Sequence, residues 1–147
     1  MNALTTVAQH IDDEDGVRRC YTVMAQLRPH LASEEDFVAR WRRQVTDGYR
    51  LLALLDGARV VALAGYRLQE NLVHGRFLYV DDLVTDASLR GGGHGGKLMA
   101  RLEQEARALG CGKLVLDTPL SNSLAHRFYF RSGLLATALR FNIAITQ

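Results

Sequence analysis

The first third of the chain has apolar residues at helical spacing. After a short predicted strand at residues 5–11, the four acidic residues 12–15 favour the start of a helix, because carboxylates stabilise the positive end of a helix. Pro29 predicts that this helix ends just before it. A second helix begins at Ser33, an N-cap residue followed by three acidic residues, and Asp47-Gly48 closes it.

From Tyr49 onward the hydrophobic period is that of β-strands. Three strands joined by tight turns are predicted as an antiparallel meander, at residues 50–55, 60–67 and 76–85. Downstream the pattern predicts a glycine-rich loop with a helix, a strand at 113–117, a helix capped by Ser121 or Asn122, and a strand pair at 134–138 and 139–145.

The resulting order is β-α-α-β-β-β-α-β-α-β-β. Only one strand pair, across the helix after the glycine loop, has to be parallel. The fold class is therefore predicted as α+β, a mixed sheet with helices on its faces, in one domain over residues 1–147.

Composition narrows the class of protein. A chain of 147 residues with 48% apolar and 23% charged residues is predicted to be globular rather than disordered. The net charge of +2 comes from scattered Lys and Arg residues, which predicts neither nucleic-acid nor membrane-surface binding. There is no run of about 18 apolar residues and no signal-peptide pattern. Cys20 and Cys111 are interpreted as buried reduced thiols, and a cytoplasmic protein is expected.

The most informative stretch is the loop of residues 91–96, where five of six positions are glycine. A strand precedes it, and a helix pattern with Leu98 and Leu102 on one face follows it. Glycine lets backbone N–H groups approach an anion closely, and the helix N-terminus adds partial positive charge. The sequence therefore predicts an anion site, with phosphate as the leading anion.

Two well-known phosphate loops fit this stretch poorly. Gly91, Gly93 and Gly96 match the spacing of the dinucleotide fingerprint, but they follow a meander rather than the first of several βαβ units. Gly91, Gly96 and Lys97 match most of the P-loop pattern. The match fails at Leu98, because the P-loop needs a hydroxyl side chain at that position to bind magnesium. Both classes are set aside.

Arg90, Gly93 and Gly95 match a third pattern, Arg/Gln-x-x-Gly-x-Gly/Ala. With residues 80–95 around it, this stretch resembles the acetyl-CoA motif of the GCN5-related N-acetyltransferase (GNAT) family. A second stretch, from Asn122 through Tyr129 to Gly133, resembles that family's N-x-x-A-x-x-F-Y-x-x-x-G-F motif. The two motifs occur in the right order and at the right separation.

The resemblance implies that acetyl-CoA is the co-substrate and that no metal takes part. It places the pyrophosphate on the loop, the pantetheine arm on the backbone of the preceding strand, and further contacts on Asn122 and Tyr129. The implied cofactor-binding residues are Leu83, Val84, Thr85, Arg90, Gly91, Gly92, Gly93, His94, Gly95, Gly96, Asn122 and Tyr129. Gly92 and His94 depart from the family, which favours a polar and an apolar residue there, and His94 is interpreted as a packing residue.

The resemblance also implies the catalytic residues. Tyr129 matches the general acid that protonates the leaving thiolate, and Asp81 matches a carboxylate acting as base through water. Strand alternation predicts that Asp81 and Asp82 point to opposite faces, so that only one reaches the cleft. Asp81 is chosen, with Asp82 or Asp117 as fallbacks.

The predicted function is direct N-acetylation of a primary amine, on a small molecule or a protein. Two other classes stay open: a non-catalytic acyl-CoA-binding or regulatory module of the same fold, and a nucleotide-binding protein. The expected partners are acetyl-CoA and the amine, with neither nucleic acid nor membrane. A homodimer is left open, with the apolar C-terminal strands as a candidate interface.

Overall fold

The computed structural model describes residues 5–146. The chain divides after Leu116 into two compact units. The elements of the first unit are β1 (Val7–Ile11), α1 (Glu14–Leu27), α2 (Glu34–Val45), β2 (Arg50–Asp56), β3 (Arg59–Asn71), β4 (Gly75–Thr85), a 3-10 turn (Ala87–Leu89), α3 (His94–Ala108) and β5 (Lys113–Leu116). The second unit contains α4 (Ser123–Arg131).

The first unit is built on one mixed sheet in which the strands lie in chain order, β1-β2-β3-β4-β5. Neighbouring strands are antiparallel except for β4 and β5, which are parallel and joined by α3. The predicted meander and the single parallel crossover are therefore confirmed, and with them the mixed-sheet α+β class.

Helices cover both faces of this sheet. Because successive strand residues point to opposite faces, Leu51 of β2 joins a buried cluster with α1 and α2, whereas Leu52 joins a cluster with α3. Cys20 is fully buried in the first cluster, where burial raises the pKa of its thiol to about 12. The prediction of a buried reduced thiol is confirmed for Cys20, whereas Cys111 is a free thiol that is only half-buried.

The acidic residues 12–15 mark the start of α1, as predicted. The Asp13 carboxylate accepts a hydrogen bond from the Gly16 N–H at 2.7 Å and caps the helix. Glu14 and Asp15 lie in the first turn and pair with Arg18. Among the described residues, no helix combines the length and apolarity needed to cross a membrane.

In the second unit, Asn122 caps α4 and Gly133 follows its end in the left-handed region, at φ +90°. The predicted strands at 134–138 and 139–145 are wrong for this structure, which has no regular element over residues 134–146. Residues 135–146 are exposed, and a strand forms only when another strand satisfies its backbone groups. Apolar alternation indicates a tendency to pair and cannot supply the partner.

Candidate active site

The glycine loop takes a backbone path that only glycine follows without strain. Gly91 has φ +85° and Gly93 has φ +79°, both in the left-handed region. Gly93 is the N-cap of α3, and the first helical hydrogen bond runs from the Lys97 N–H to the Gly93 carbonyl, at 3.1 Å. The loop therefore leads directly into the helix.

The start of α3 offers unsatisfied donors. The N–H groups in the first turn of a helix, here those of His94, Gly95 and Gly96, have no carbonyl ahead of them to bond. Within residues 5–146 no side chain caps this end. The loop lines a depression of about 460 Å³ that also contains Arg90 and Lys97. Backbone donors, a helix dipole and two cations suit this depression to an anion.

His94 is a packing residue, as predicted. Its side chain is only 5% exposed, and the ring lies so close to the loop that a Cβ built on Gly92 would be 2.7 Å from His94 Nε2. The imidazole thus fills the space that a side chain at position 92 would need. The absence of a side chain at position 92 and the buried ring at position 94 are therefore coupled.

The segment between β4 and the loop is tied to the rest of the first unit. The Asp86 N–H donates to the Val61 carbonyl at 2.8 Å, and the Asp86 carboxylate accepts from the Ser88 N–H at 3.1 Å. That bond lowers the pKa of Asp86. The Ala87 N–H donates to Gln26 Oε1 of α1 at 2.8 Å. These bonds fix the position of the loop.

The sheet opens along the last part of β4. β4 pairs with β3 as far as Thr85, but its parallel ladder with β5 covers only residues 77–80. In the described sheet, the side of β4 that faces away from β3 therefore has no neighbouring strand from Asp81 to Thr85. This edge includes the backbone of Leu83, Val84 and Thr85.

Both Asp81 and Asp82 line a cleft of about 370 Å³ formed with α1, α2 and neighbouring strands. The prediction that only one of them faces the cleft is wrong. Gly65 pairs with Asp82 while the next residue, Tyr66, pairs with Val80, so Asp81 is the extra residue of a β-bulge. A bulge interrupts the alternation of side chains and turns two successive residues toward one side.

The Asp82 carboxylate accepts hydrogen bonds from two side chains. Tyr49 Oη donates to its Oδ2 at 2.8 Å, and Arg28 Nε donates to its Oδ1 at 2.9 Å. Burial, and then the Asp82 charge, raise the pKa of Tyr49, so this phenol stays protonated as a donor. Both carboxylate oxygens of Asp82 are engaged, which suits a structural role.

Asp81 is better placed for proton transfer. Arg67 Nε donates to its Oδ2 at 3.1 Å, and Arg67 Nη2 donates to Gln44 of α2 at 2.6 Å. Burial raises the pKa of Asp81, an effect that the Arg67 charge partly opposes. A half-buried carboxylate in a cleft with a raised pKa is a typical candidate base.

Gly65 allows the Tyr49 hydroxyl and the Asp82 carboxylate to approach β3 closely. A role for Gly65 was not predicted from the sequence. A Cβ at this position would lie 2.0 Å from Tyr49 Oη and 2.5 Å from Asp82 Oδ2. A glycine inside a strand pattern indicates a bulge or a close approach, and that signal is present between Ala64 and Tyr66. Tyr49 and Arg28, the partners of Asp82, carried no comparable signal.

We expect Gly65→Ala to displace the Tyr49 hydroxyl and to destabilise the first unit by about 2–3 kcal/mol, through overpacking and a lost buried hydrogen bond. Thermal unfolding of Gly65→Ala measures this. Tyr49→Phe is the comparison, because it removes the same hydroxyl without adding a methyl group. If Gly65→Ala is as stable as the wild type, the close approach is not important for folding.

The remaining predicted residues lie in the second unit. Asn122 Oδ1 accepts from the Ala125 N–H at 3.2 Å and caps α4. Tyr129 is half-buried, its ring packs edge-on against Phe128 at 5.4 Å, and burial raises its pKa. Asp117, a fallback base, accepts from Arg140 at 2.5 Å.

Comparison with known proteins identifies the family. The GNAT acetyltransferase family model matches residues 14–134. The uncharacterized N-acetyltransferase YhdJ of Bacillus subtilis is 34% identical over 110 residues, which cover 74% of this chain and 77% of YhdJ. Aminoalkylphosphonate N-acetyltransferase of Salmonella typhimurium is 36% identical over 98 residues, which cover 66% of this chain and 62% of that enzyme.

Solved structures agree on the fold. The structure of AAC(6')-Iy in complex with a CoA-containing bisubstrate analogue superposes with a TM-score of 0.83, covering 97% of this chain and 99% of that one. At 14% identity this likeness shows the fold alone. Together with the family match and the N-acetyltransferase relatives, it means that this chain is an N-acetyltransferase of the GNAT family.

Proposed function

We propose that the protein transfers an acetyl group directly from acetyl-CoA to the primary amine of an acceptor bound in the Asp81 cleft. One observation carries this proposal. β4 runs from the cleft carboxylates along the unpaired edge at residues 83–85, and the 3-10 turn Ala87–Leu89 joins its end to the glycine loop. A donor lying along this edge would have its phosphates at the loop and its acyl end toward the cleft.

The residues present suit coenzyme A. The N–H groups of residues 91–96 and the charge of Arg90 would hold the diphosphate. The N–H and C=O groups of Leu83 and Thr85 face the open edge of β4 and would bond the amides of the pantetheine arm, as an added strand does, whereas those of Val84 face Leu63 of β3. Asn122 is a further proposed contact to the donor.

Acetyl-CoA supplies an acetyl group already activated as a thioester. In the proposed mechanism Asp81 accepts, through water, the proton that the acceptor ammonium must lose before its nitrogen forms the new C–N bond. A backbone N–H near Val84, on the open edge of β4, polarises the acetyl carbonyl. Tyr129 gives its proton to the sulfur as the C–S bond breaks, and the second proton, lost by the acylated nitrogen, restores the phenol. Direct transfer needs neither an acyl-enzyme nor a metal.

The cleft supports a small amine that also carries an anionic group. Arg40, Trp41 and Gln44 of α2 line it together with His30 and the two carboxylates. Gln44 is linked through Arg67 to Asp81, and Arg40 lies one helical turn away, about 6 Å along the axis. An ammonium near Asp81 and an anion near Arg40 would suit a short aminoalkyl acid. One relative is named for aminoalkylphosphonate, an acceptor of this kind.

An amine panel read out by thiol release tests the proposal. We expect turnover with aminoalkyl phosphonates or carboxylates, and much less with alkylamines of the same length. Acetyl-CoA binding without turnover of any amine would support the non-catalytic module instead. Binding of ATP or NAD that coenzyme A does not displace would support a nucleotide-binding protein.

The free thiols suit a reducing compartment, and we propose a cytoplasmic location.

We expect Tyr129→Phe to lower kcat about tenfold while the KM for acetyl-CoA is unchanged. The loss is modest for a general acid because a thiolate is a good leaving group. Steady-state kinetics at saturating amine measures it. Tyr21→Phe is the control, because the Tyr21 hydroxyl donates to the Leu31 carbonyl at 2.9 Å and its removal affects stability rather than kcat. An unchanged kcat in Tyr129→Phe removes Tyr129 from the mechanism.

A further inference from the structure

The bulge leaves the orientation of Asp81 to side-chain contacts. Asp81 is the extra residue of β4, so no residue of β3 pairs with it. The sheet ladder therefore fixes Asp81 less firmly than its neighbours. A base has to hold its carboxylate in one place, because a displacement of about 1 Å lowers the rate of a reaction steeply. Other groups must supply what the ladder does not.

Two arginines from different elements hold Asp81. Arg28, at the C-cap of α1, donates from Nη2 to the Asp81 main-chain carbonyl at 2.8 Å. Arg67 of β3 donates from Nε to the carboxylate at Oδ2, at 3.1 Å. Within residues 5–146 no hydrogen bond reaches the other carboxylate oxygen, Oδ1. The carboxylate is thus attached by one oxygen and has the second available for a proton.

Arg67 is itself fixed by two further contacts. Its Nη2 donates to Gln44 Oε1 of α2 at 2.6 Å, and its guanidinium carbon lies 5.5 Å from the centre of the Tyr49 ring. An arginine over an aromatic face gains a cation–π attraction, and the planar guanidinium keeps its N–H groups at fixed angles. The orientation of Arg67 therefore determines where Asp81 Oδ2 lies.

Arg67 lies outside the set of side chains that line the cleft. Its three partners, Asp81, Gln44 and Tyr49, all belong to that lining. An acceptor in the cleft would meet these partners and not the Arg67 guanidinium. Arg67 differs in this from Arg40, which lines the cleft and suits the anionic group of an acceptor. A place behind the carboxylate indicates positioning rather than acceptor binding.

We propose that Arg67 is a positioning residue for acetyl transfer, which holds Asp81 Oδ2 so that Oδ1 takes, through water, the proton that the acceptor ammonium loses. The inference rests on the proposed function, in which Asp81 is the base. The proton moves from the ammonium to water as water passes a proton to Oδ1, and the nitrogen lone pair forms the new C–N bond. Arg67 gives up no proton, because a guanidinium stays charged in proteins.

The Arg67 charge also acts on the titration of Asp81. Burial raises the pKa of the Asp81 carboxyl, and the charge and hydrogen bond of Arg67 lower it, so removal of Arg67 raises this pKa further. Histidine is the residue type whose charge ordinarily changes between pH 5 and 8, and a comparison of chains that all retain His30 cancels its contribution. The other ionisable side chains that line the cleft are Arg28, His30, Arg40, Tyr49, Tyr79 and Asp82.

Titration of the Asp81 carboxyl by NMR tests the contact without turnover. The carboxyl carbons of aspartate are isotope-labelled, and the Asp81 signal is the one lost in Asp81→Asn. We expect its titration midpoint to lie at higher pH in Arg67→Met than in the wild type. Arg101→Met is the matched control, because Arg101 Nε donates to Glu105 Oε1 at 3.0 Å in a similar ion pair on α3. Equal Asp81 midpoints in Arg67→Met and Arg101→Met overturn the proposal.

Steady-state kinetics separates the position of the carboxylate from its charge. With saturating acetyl-CoA, Arg67→Met should lower the plateau of kcat at high pH about 10- to 100-fold and move the rising limb of the pH profile to higher pH. Arg67→Lys should keep the limb near its wild-type position without restoring the plateau, because an ammonium lacks the fixed fork that bonds Asp81 and Gln44 together. If Arg67→Met does not fold, Arg67→Lys is the test. A wild-type plateau in either variant overturns the proposal.

The two measurements distinguish failure of this inference from failure of the proposed function. If the NMR midpoint of Asp81 moves in Arg67→Met and the pH profile of kcat does not, Asp81 is not the base, and the catalytic role of Arg67 is overturned with it. If the NMR midpoint stays in place while Asp81→Asn abolishes the pH dependence of kcat, Asp81 is the base and Arg67 does not position it.

Discussion

Asp81→Asn should lower kcat by about 100- to 1,000-fold at neutral pH while the KM for acetyl-CoA stays within about twofold, the range expected for loss of a general base. The amide keeps an oxygen that accepts from Arg67 and nearly the same volume. It cannot take a proton from the acceptor. Steady-state kinetics with saturating acetyl-CoA measures the effect.

The pH profile distinguishes a base from a structural carboxylate. Burial raises the pKa of Asp81 above the ordinary value for aspartate, so the ionised, basic form appears only at higher pH. We therefore expect kcat to rise with pH through that raised pKa in the wild type and to lose this rise in Asp81→Asn.

Asp82→Asn is the matched control. Removal of the Asp82 charge weakens the ion pair with Arg28 and the hydrogen bond from Tyr49. This should lower thermal stability and leave the pH profile in place. If Asp82→Asn loses the pH dependence and Asp81→Asn keeps it, the two roles are reversed.

Gly93→Ala should lower kcat/KM for acetyl-CoA by about 100- to 1,000-fold. At φ +79° a Cβ costs about 1–2 kcal/mol, and a shift that relieves this strain turns first-turn N–H groups away from the phosphates. Each charge-assisted hydrogen bond lost adds about 1.5–3 kcal/mol. Coenzyme A titration by calorimetry and steady-state kinetics measure the loss.

Gly57→Ala separates strain from binding. Gly57 lies in the β2–β3 turn at φ +59°, and a Cβ there, as at Gly93, meets no atom within 4 Å. Both variants should lose similar stability, and only Gly93→Ala should lose affinity for coenzyme A. Equal affinities in the two variants would falsify the assignment of the loop as the phosphate site.

Features encoded by neighbouring residues could be predicted from the sequence. The helix start at the acidic residues 12–15, the cap at Ser33 and the loop at 91–96 depend on residues within a few positions of one another, and the structure has them where they were expected. His94 was also predicted as a packing residue. The roles assigned to Asp81, Tyr129 and the loop in catalysis and binding stay predictions.

Features that depend on a distant partner could not be predicted. The common face of Asp81 and Asp82 depends on a bulge opposite Gly65 and Tyr66, and strand alternation within β4 does not contain that information. The strands expected at 134–138 and 139–145 require a neighbouring backbone, which the alternation of Leu139, Phe141 and Ile143 does not specify. In both cases the outcome depends on whether and how the segment pairs with another part of the chain, which the local pattern does not contain.

The bulge at Asp81 also bears on how this sheet tolerates changes in length. β4 is in register with β3 on both sides of the bulge, from Asn71–Gly75 to Tyr66–Val80 and from Gly65–Asp82 to Ala62–Thr85. A chain one residue shorter at this point would keep every other pair and every buried side chain of the strand. Among relatives, the presence or absence of this one residue would therefore separate chains that carry the proposed base from chains that retain only the scaffold and the carboxylate bound to Tyr49 and Arg28.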